Sequence, residues 1–106
     1  MDKYQSEALS MAFYPNVGHN FVYPALGLAG EAGEVSEKIK KLIRDDSSVI
    51  TPGKRQELKE ELGDVLWYVA AIAMEFNLSL SEIASANIEK LRSRKERGTL
   101  RGSGNR

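Results

Sequence analysis

The sequence GLAGEAGEVSEKIKK, residues 27–41, has the pattern of an amphipathic α-helix with two acidic residues on one face. Glu31 and Glu34 are three residues apart, and residues at that spacing are neighbours on a helix surface. The segment also has a glycine at every third position from residue 27 to residue 33. Each glycine costs a helix about 1 kcal/mol relative to alanine. We therefore expect close backbone approach to another helix or to a ligand; the alternative is a frayed helix start. These glycines are Gly27, Gly30 and Gly33.

A second acidic pair follows in KEELGDVLWY, residues 59–68, where Glu61 and Asp64 have the same spacing. Two such helices packed side by side would direct four carboxylates to one place. Like charges near a core repel strongly at low dielectric, and a cation relieves that repulsion. Oxygen-rich clusters of this kind suit Mg²⁺, a hard cation. The alternative is a solvated acidic face that lysines balance.

Composition limits the 106 residues to one small domain. The 15 basic and 15 acidic residues cancel, which argues against a broad nucleic-acid or membrane surface. The lack of cysteine excludes disulfides and thiolate metal sites. The first residues lack the pattern of a signal peptide, and no apolar stretch is long enough to span a bilayer. We therefore expect cytoplasmic residence.

Hydrophobic periodicity predicts an all-α fold with helices in a four-helix, bundle-like arrangement. Thr51 with Pro52 has the form of an N-cap followed by proline at the first helical position, and Ser79 with Glu82 has that of a capping box. Asn77 is expected to end the third helix. The predicted helices cover residues 2–13, 22–44, 52–76 and 80–96.

Apolar stripes run along the two central predicted helices. Long amphipathic helices in so short a chain often complete their burial in an oligomer, so we expect a homodimer or a homotetramer. We assign residues 1–97 to the domain and residues 98–106, rich in glycine and arginine, to a flexible tail. The stripes comprise Leu28, Ala32, Val35, Ile39, Leu42 and Ile43 on the second helix, and Leu58, Leu62, Val65, Leu66, Val69, Ile72, Ala73 and Phe76 on the third.

Other site chemistries fit the sequence poorly. A di-iron bundle needs two Glu-x-x-His pairs, but the one histidine, His19, is in no such pair. No local motif gives a serine a histidine and acid partner. The glycine spacing is not a dinucleotide fingerprint, because no strand precedes it. Redox-metal and nucleophilic catalysis are therefore disfavoured.

The two motifs together, GLAGEAGEVSEKIKK and EELGDVLWYV, resemble those of the MazG-like nucleoside triphosphate pyrophosphohydrolases, in the all-α NTP pyrophosphatase superfamily. The family signature is Glu-x-x-Glu followed, after a connector, by Glu-x-x-Asp, and the four acids match it. The resemblance extends over residues 19–94. It implies hydrolysis of an NTP or dNTP between the α- and β-phosphorus, which gives a nucleoside monophosphate and pyrophosphate.

The resemblance also implies roles for the acids in metal binding and catalysis. Mg²⁺, or alternatively Mn²⁺, would stand between the carboxylates and the anionic triphosphate and activate a water for in-line attack on the α-phosphorus. Glu34, Glu61 and Asp64 are predicted as direct ligands. Glu31 is predicted either as a ligand or as the group that orients the water, and one acid can accept the water's proton.

Three residues near the motifs are predicted to contact substrate, each with a structural alternative. Lys38 follows Glu34 by one turn and can reach a phosphate; the alternative is a surface salt bridge. Tyr68 can contact sugar or base; the alternative is a packed core tyrosine. His19 lies where relatives border the nucleotide pocket; the alternative is a helix-capping role. Trp67 is expected in the core or an interface.

The fourth predicted helix and the tail supply further expected phosphate contacts. Lys90 and Arg94 match a basic pattern of the family, Asn87 joins them, and an adjacent subunit is one source of these contacts. The tail arginines either fold over a bound triphosphate or belong to a plain disordered tail. They are Arg97, Arg101 and Arg106.

Two other functions stay open. One is a non-catalytic helical oligomeric interaction module whose acids form a partner-binding face. The other is a related pyrophosphohydrolase that acts on a phosphoribosyl nucleotide. The base and sugar of the substrate are not specified by periodicity or spacing.

Overall fold

The computed structural model describes residues 1–98, which form four α-helices and contain no strand, so the predicted all-α class is confirmed. The first predicted helix was too long, because α1 ends four residues before residue 13. The predicted tail lies outside the described residues except for Gly98. The helices are α1 (Asp2–Leu9), α2 (Val22–Asp46), α3 (Pro52–Glu75) and α4 (Leu80–Glu96).

The two long helices, α2 and α3, form an antiparallel hairpin and make the most extensive helix–helix contact of the described chain. Ser47 ends α2 in a left-handed conformation (φ 53°). Thr51 then begins α3 as predicted, because its Oγ1 accepts a hydrogen bond from the Lys54 N–H at 3.2 Å. A short connector between two capped ends thus places the acidic segments of both helices side by side.

The two shorter helices pack at the other end of this hairpin. The side chain of Gln5 in α1 donates to the carbonyls of Ala70 (3.3 Å) and Leu78 (3.2 Å) and accepts from the Leu80 N–H (3.0 Å). One buried amide therefore joins α1, the end of α3 and the start of α4, which satisfies backbone groups that the break between helices would leave unpaired.

The predicted boundary between α3 and α4 is confirmed in detail. Asn77 adopts a left-handed conformation (φ 58°) just after α3. Ser79 and Glu82 form the capping box: the Ser79 Oγ accepts from the Glu82 N–H at 3.1 Å, and the Glu82 carboxylate accepts from the Ser79 N–H at 2.8 Å. After this break α4 turns away from α3 by 101°.

The buried residues of α3 are alanines, and Ala73 is the only member of its predicted apolar stripe among them. Ala70 and Ala73 pack with Leu80 in the core, and Tyr4 of α1 lies against them. The small side chains let α1 approach α3 closely. Members of the stripe stay accessible in the single chain, with Leu62 50% and Phe76 56% exposed, because nothing in residues 1–98 covers that side.

The predicted close approach is seen at Gly27, which has the ring of Tyr68 against its backbone, so that no side chain fits there. A Cβ at Gly30 or Gly33 would meet no atom of the described residues within 4 Å, so no helix of the single chain approaches those two positions. The alternative partner, a ligand, stays a prediction for them.

None of the four helices is by itself long and apolar enough to cross a membrane. Only α3 and α4 taken together, as a sharply bent pair, satisfy the criterion by length and composition.

Candidate metal centre

Three of the four predicted acids meet between α2 and α3. Glu31 of α2 and Glu61 and Asp64 of α3 each offer a carboxylate oxygen, and these oxygens all lie within 4.8 Å of one another. We call this group the acid cluster. Glu31 and Glu61 are half-buried and Asp64 is exposed, so the cluster opens to solvent on one side.

The register of the hairpin brings these acids together. Lys38 of α2 forms a salt bridge with Glu57 of α3 at 3.5 Å. Glu31 lies seven residues before Lys38 on α2, and Asp64 lies seven residues after Glu57 on α3. The same antiparallel register therefore places Glu31 opposite Asp64. The acid-x-x-acid spacing then adds Glu61 to the same face of α3.

The acid cluster is electrostatically strained in the absence of a cation. Burial raises the pKa of Glu31, and the negative charges of Asp64, Glu61 and Glu34 raise it further. Both effects disfavour the charged carboxylate. A positive charge between the oxygens would favour the charged carboxylate instead, as is expected of metal ligands.

The donor set fits a hard divalent cation. The three ligand atoms of the acid cluster are all carboxylate oxygens, which suit Mg²⁺, Mn²⁺ and Ca²⁺ better than softer metals. Glu34 lies outside the cluster as the side chains stand and is exposed, although its charge acts on Glu31. Its predicted role as a direct ligand stays a prediction.

An aromatic side chain borders the acid cluster. Tyr68 lies one turn after Asp64 on α3, and its ring packs against Gly27, one turn before Glu31 on α2. Burial raises the pKa of the Tyr68 hydroxyl, and Tyr23, Glu31 and Asp64 raise it further. Tyr68 is thus packed, as the structural alternative predicted, and it is adjacent to the acids, while its contact with sugar or base stays a prediction.

A groove lined by basic and apolar residues, called here the basic groove, lies nearer the tip of the hairpin than the acid cluster. Lys38, one turn after Glu34, lies in this groove of about 400 Å³ and makes the predicted alternative contact, a salt bridge with the carboxylate of Glu57. The bridge does not remove the local excess of positive charge. The other basic residues that line the groove are Lys41, Lys54 and Arg55.

The remaining predicted contacts lie on α4 and in the connection that precedes α2. Asn87 and Lys90 are exposed on α4, a helix that packs on α1, and Arg94 is buried near its end. His19 lies in the connection between α1 and α2, and its N–H donates to the Asn16 carbonyl at 2.8 Å. The N–H donor at the start of α2 is instead capped by Asn20, whose Oδ1 accepts from the Tyr23 N–H at 3.0 Å.

Two residues that bear on the site were missed by sequence reasoning. Tyr4 of α1 has its hydroxyl pKa raised by burial and by the charge of Asp64, so the electrostatic effect of the acid cluster extends to α1. Glu75 lies on the face of α3 that carries Asp64 and Tyr68, and binds the connection that precedes α2. The spacing along α3 could have indicated Glu75, whereas no pattern within α1 singles out Tyr4. Trp67 packs as expected, donating its indole N–H to the Ala8 carbonyl at 3.1 Å.

Comparison with known proteins now bears on this site. The family model for the MazG nucleotide pyrophosphohydrolase domain matches residues 24–99, a segment that contains all four predicted acids. The chain belongs to the MazG family. This membership confirms the resemblance and supports a hydrolase of the pyrophosphohydrolase type. The matched segment begins after His19.

One relative of this MazG-family chain is the "Gene 37 protein" of Mycobacterium phage L5. The two are 45% identical over 109 aligned positions, which cover 98% of this chain and 96% of the phage protein. Its name describes no activity. No solved structure matches the chain at a significant level.

Proposed function

We propose that this MazG-family chain is a Mg²⁺-dependent nucleoside triphosphate pyrophosphohydrolase, which converts an NTP or dNTP to the monophosphate and pyrophosphate. The observation that carries the proposal is the acid cluster: Glu31, Glu61 and Asp64 lie within 4.8 Å inside the segment that matches the family. Mn²⁺ is the alternative cation, because the oxygen ligands suit both.

In this proposal the acid cluster binds the cation and the basic groove binds phosphates of the substrate. A bound divalent cation supplies neutralisation of phosphate charge and a lower pKa for an attacking water. Glu61 and Asp64 would hold the cation from α3, and Glu31 would hold it or orient the water from α2. Glu34 would be the fourth ligand. Lys38 and the groove beyond it accept the phosphates that leave as pyrophosphate.

We also propose that the active protein is a homodimer or a homotetramer. Both long helices leave apolar side chains exposed, among them Ile43 at 60% and Leu62 at 50%. A second copy of the hairpin supplies the cover that one chain lacks. In such an assembly Asn87, Lys90 and Arg94 of a neighbouring subunit can approach the phosphates.

Product analysis tests the proposed reaction. The protein is incubated with Mg²⁺ and a panel of NTPs and dNTPs, with a phosphoribosyl nucleotide included. We expect pyrophosphate and the monophosphate from the NTPs or dNTPs. Orthophosphate release, or turnover of the phosphoribosyl compound alone, would contradict the proposal.

Matched variants separate chemistry from folding. Glu61→Gln and Asp64→Asn should abolish turnover while the helical circular dichroism is unchanged. Glu60→Gln is the control, because Glu60 precedes Glu61 on the same helix but lies outside the acid cluster. Calorimetry with Mg²⁺ and a non-hydrolysable triphosphate tests the interaction-module alternative, which predicts no Mg²⁺-linked nucleotide binding.

A further inference from the structure

Glu75, the last residue of α3, binds the connection between α1 and α2 with both oxygens of its carboxylate. Its Oε2 accepts from the Tyr14 hydroxyl at 2.5 Å and from the Gly18 N–H at 2.8 Å. Its Oε1 accepts from the Asn20 N–H at 2.9 Å. The donors lie 55 to 61 residues away in sequence, so one side chain fixes a whole non-helical segment onto the end of α3.

Within the connection, the Asn20 side-chain amide donates to the Pro15 carbonyl at 2.9 Å, and the three hydrogen bonds to Glu75 join the connection to α3. Two of its residues, Asn16 (φ 56°) and Gly18 (φ 92°), adopt left-handed conformations, so the chain turns sharply there. Backbone N–H groups in such a turn need partners outside regular structure. Hydrogen bonds to a charged carboxylate are stronger than those to neutral acceptors. Burial alone would raise the pKa of Glu75, yet these hydrogen bonds and the charge of His19 bring it below its ordinary value.

A chain of ring contacts links this anchored connection to the acid cluster. The Tyr14 ring stacks on the Tyr23 ring, with centroids 5.0 Å apart and planes 11° from parallel. Tyr23 lies one turn before Gly27 on α2, and Gly27 carries the Tyr68 ring against its backbone. Tyr14 also meets Trp67 edge-on at 6.4 Å, and Trp67 meets Tyr68 edge-on at 5.2 Å. Two routes therefore run from Tyr14 to Tyr68.

Glu75 is also in register with the site along α3. Asp64, Tyr68 and Glu75 follow one another at steps of four and seven residues, which keeps them on one helical face. On the other side, Gly27 and Glu31 are four residues apart on α2, and Asn20 lies in the connection, two residues before α2 begins. The contact of Glu75 with Asn20 therefore lies just beyond the helix-to-helix register that aligns Glu31 with Asp64.

We propose that Glu75 is a positioning residue for the active site. Its carboxylate fixes Tyr14 and the α1–α2 connection, and these set the placement of the Tyr23 ring and of the Tyr68 ring, which borders the acid cluster. The structural part stands on contacts alone. The expected effect on substrate affinity rests on the proposed function.

Two variants and one control test this role. Glu75→Gln keeps the shape of the side chain but replaces one acceptor oxygen with an amide that donates. Tyr14→Phe removes one hydrogen-bond donor and keeps both ring contacts. Glu7→Gln is the control, because it removes one carboxylate from an exposed position of α1.

Hydrogen exchange and NMR test whether Glu75 fixes the connection and the rings, and neither measurement requires enzymatic turnover. In Glu75→Gln we expect the Gly18 and Asn20 amides to exchange at least about tenfold faster, since local opening governs their protection. We also expect the ring resonances of Tyr23 and Tyr68 to shift. Tyr14→Phe should show smaller changes of the same kind, and Glu7→Gln none. Unchanged exchange or unchanged rings in Glu75→Gln would overturn the proposal even if the wild-type protein proves inactive.

Kinetics distinguish positioning from a merely structural role. If the wild-type protein is active, we expect Glu75→Gln to raise KM by about threefold to tenfold while kcat changes by less than about twofold. The reason is that displacement of the Tyr68 ring weakens substrate binding more than it slows the chemical step. Faster amide exchange with an unchanged KM would overturn the positioning role. Absence of wild-type turnover would instead count against the proposed function. The amide-exchange and ring-resonance measurements would still show whether Glu75 fixes the α1–α2 connection.

Discussion

Tyr68 lays its ring directly against the backbone of Gly27, on the register that brings Glu31 opposite Asp64. A Cβ at position 27 would lie 2.5 Å from Tyr68 Cζ and 2.6 Å from Tyr68 Cδ1, well inside van der Waals contact. The absence of a side chain at this one position therefore determines how closely α2 and α3 approach beside the acid cluster.

Gly27→Ala should consequently destabilise the protein and displace the Tyr68 ring. Overpacking of this kind typically lowers the free energy of unfolding by about 1–3 kcal/mol, which outweighs the gain in helix propensity of about 1 kcal/mol. Gly30→Ala is the matched control, because a Cβ there meets open space and only the propensity gain remains. Denaturant unfolding of both variants checks the pair. Equal stabilisation by both would contradict the packing of Tyr68 on Gly27.

Glu31 should couple stability to a divalent cation. Its pKa is raised in the folded protein above the ordinary 4.5. Its contribution to stability is therefore full below that value and is lost as the pH rises through the folded pKa. At neutral pH and without metal, Glu31→Gln should then be more stable than the wild-type protein. Mg²⁺ should raise the melting temperature of the wild-type protein and have a smaller effect on the variant.

The control for that experiment is Glu37→Gln, an exposed position on the same helix. A cation at one hundred times its dissociation constant stabilises by about 2.7 kcal/mol, so thermal melts with EDTA and with Mg²⁺ resolve the difference. Destabilisation of metal-free Glu31→Gln at neutral pH would contradict repulsion within the acid cluster.

Glu75 should give the opposite dependence on pH. Its pKa is lowered in the folded protein from the ordinary 4.5, so its stabilising effect is present above that value and is lost as the pH falls through the folded pKa. The difference in unfolding free energy between the wild-type protein and Glu75→Gln should shrink as the pH falls from neutral to below the ordinary value of 4.5. Urea titrations across this range measure it. A constant difference would show that the carboxylate charge is not what anchors the connection.

The exposed apolar side chains should be required for assembly. Ile43→Lys and Leu62→Lys place a charge at an exposed apolar position of α2 and of α3. Sedimentation analysis should show an oligomer for the wild-type protein and a smaller species for at least one variant. Ser85→Lys, at an exposed position of α4, is the control. A wild-type monomer would contradict the proposed assembly.

Local signals in the sequence predicted most of the fold. Thr51 and Ser79 mark helix starts by accepting hydrogen bonds from the backbone N–H three residues later, and contacts of such short sequence separation can be predicted from a local motif. The end of α1 was misplaced because Ala12 and Phe13 continue its apolar period. Phe13 is 94% exposed, so this part of the period reflects no burial in the single chain.

The acid cluster was predicted for the same local reason. The spacing of Glu61 and Asp64 fixes their shared face, and only one pairing of helices was then needed to add Glu31. Glu34 shows what spacing cannot predict, because helical periodicity places this residue near the face of Glu31 but does not specify its side-chain rotamer.

The contacts that hold the site in place lie beyond such reasoning. Gln5 bonds to residues 65 to 75 positions away, and Glu75 to residues 55 to 61 positions away. Each is a polar residue within an amphipathic helix, where the pattern alone indicates a solvated position. Only the approach of distant segments reveals their acceptors and donors.

Trp67 gives this molecule an optical reporter of its own. It is the one tryptophan of the chain, its indole donates to α1 at Ala8, and its ring lies edge-on to both Tyr14 and Tyr68. Its emission therefore comes from a single fluorophore seated between the amino-terminal helix and the residues that border the acids. Undocking of α1, or movement of Tyr68 when a nucleotide arrives, would change that emission without any added label.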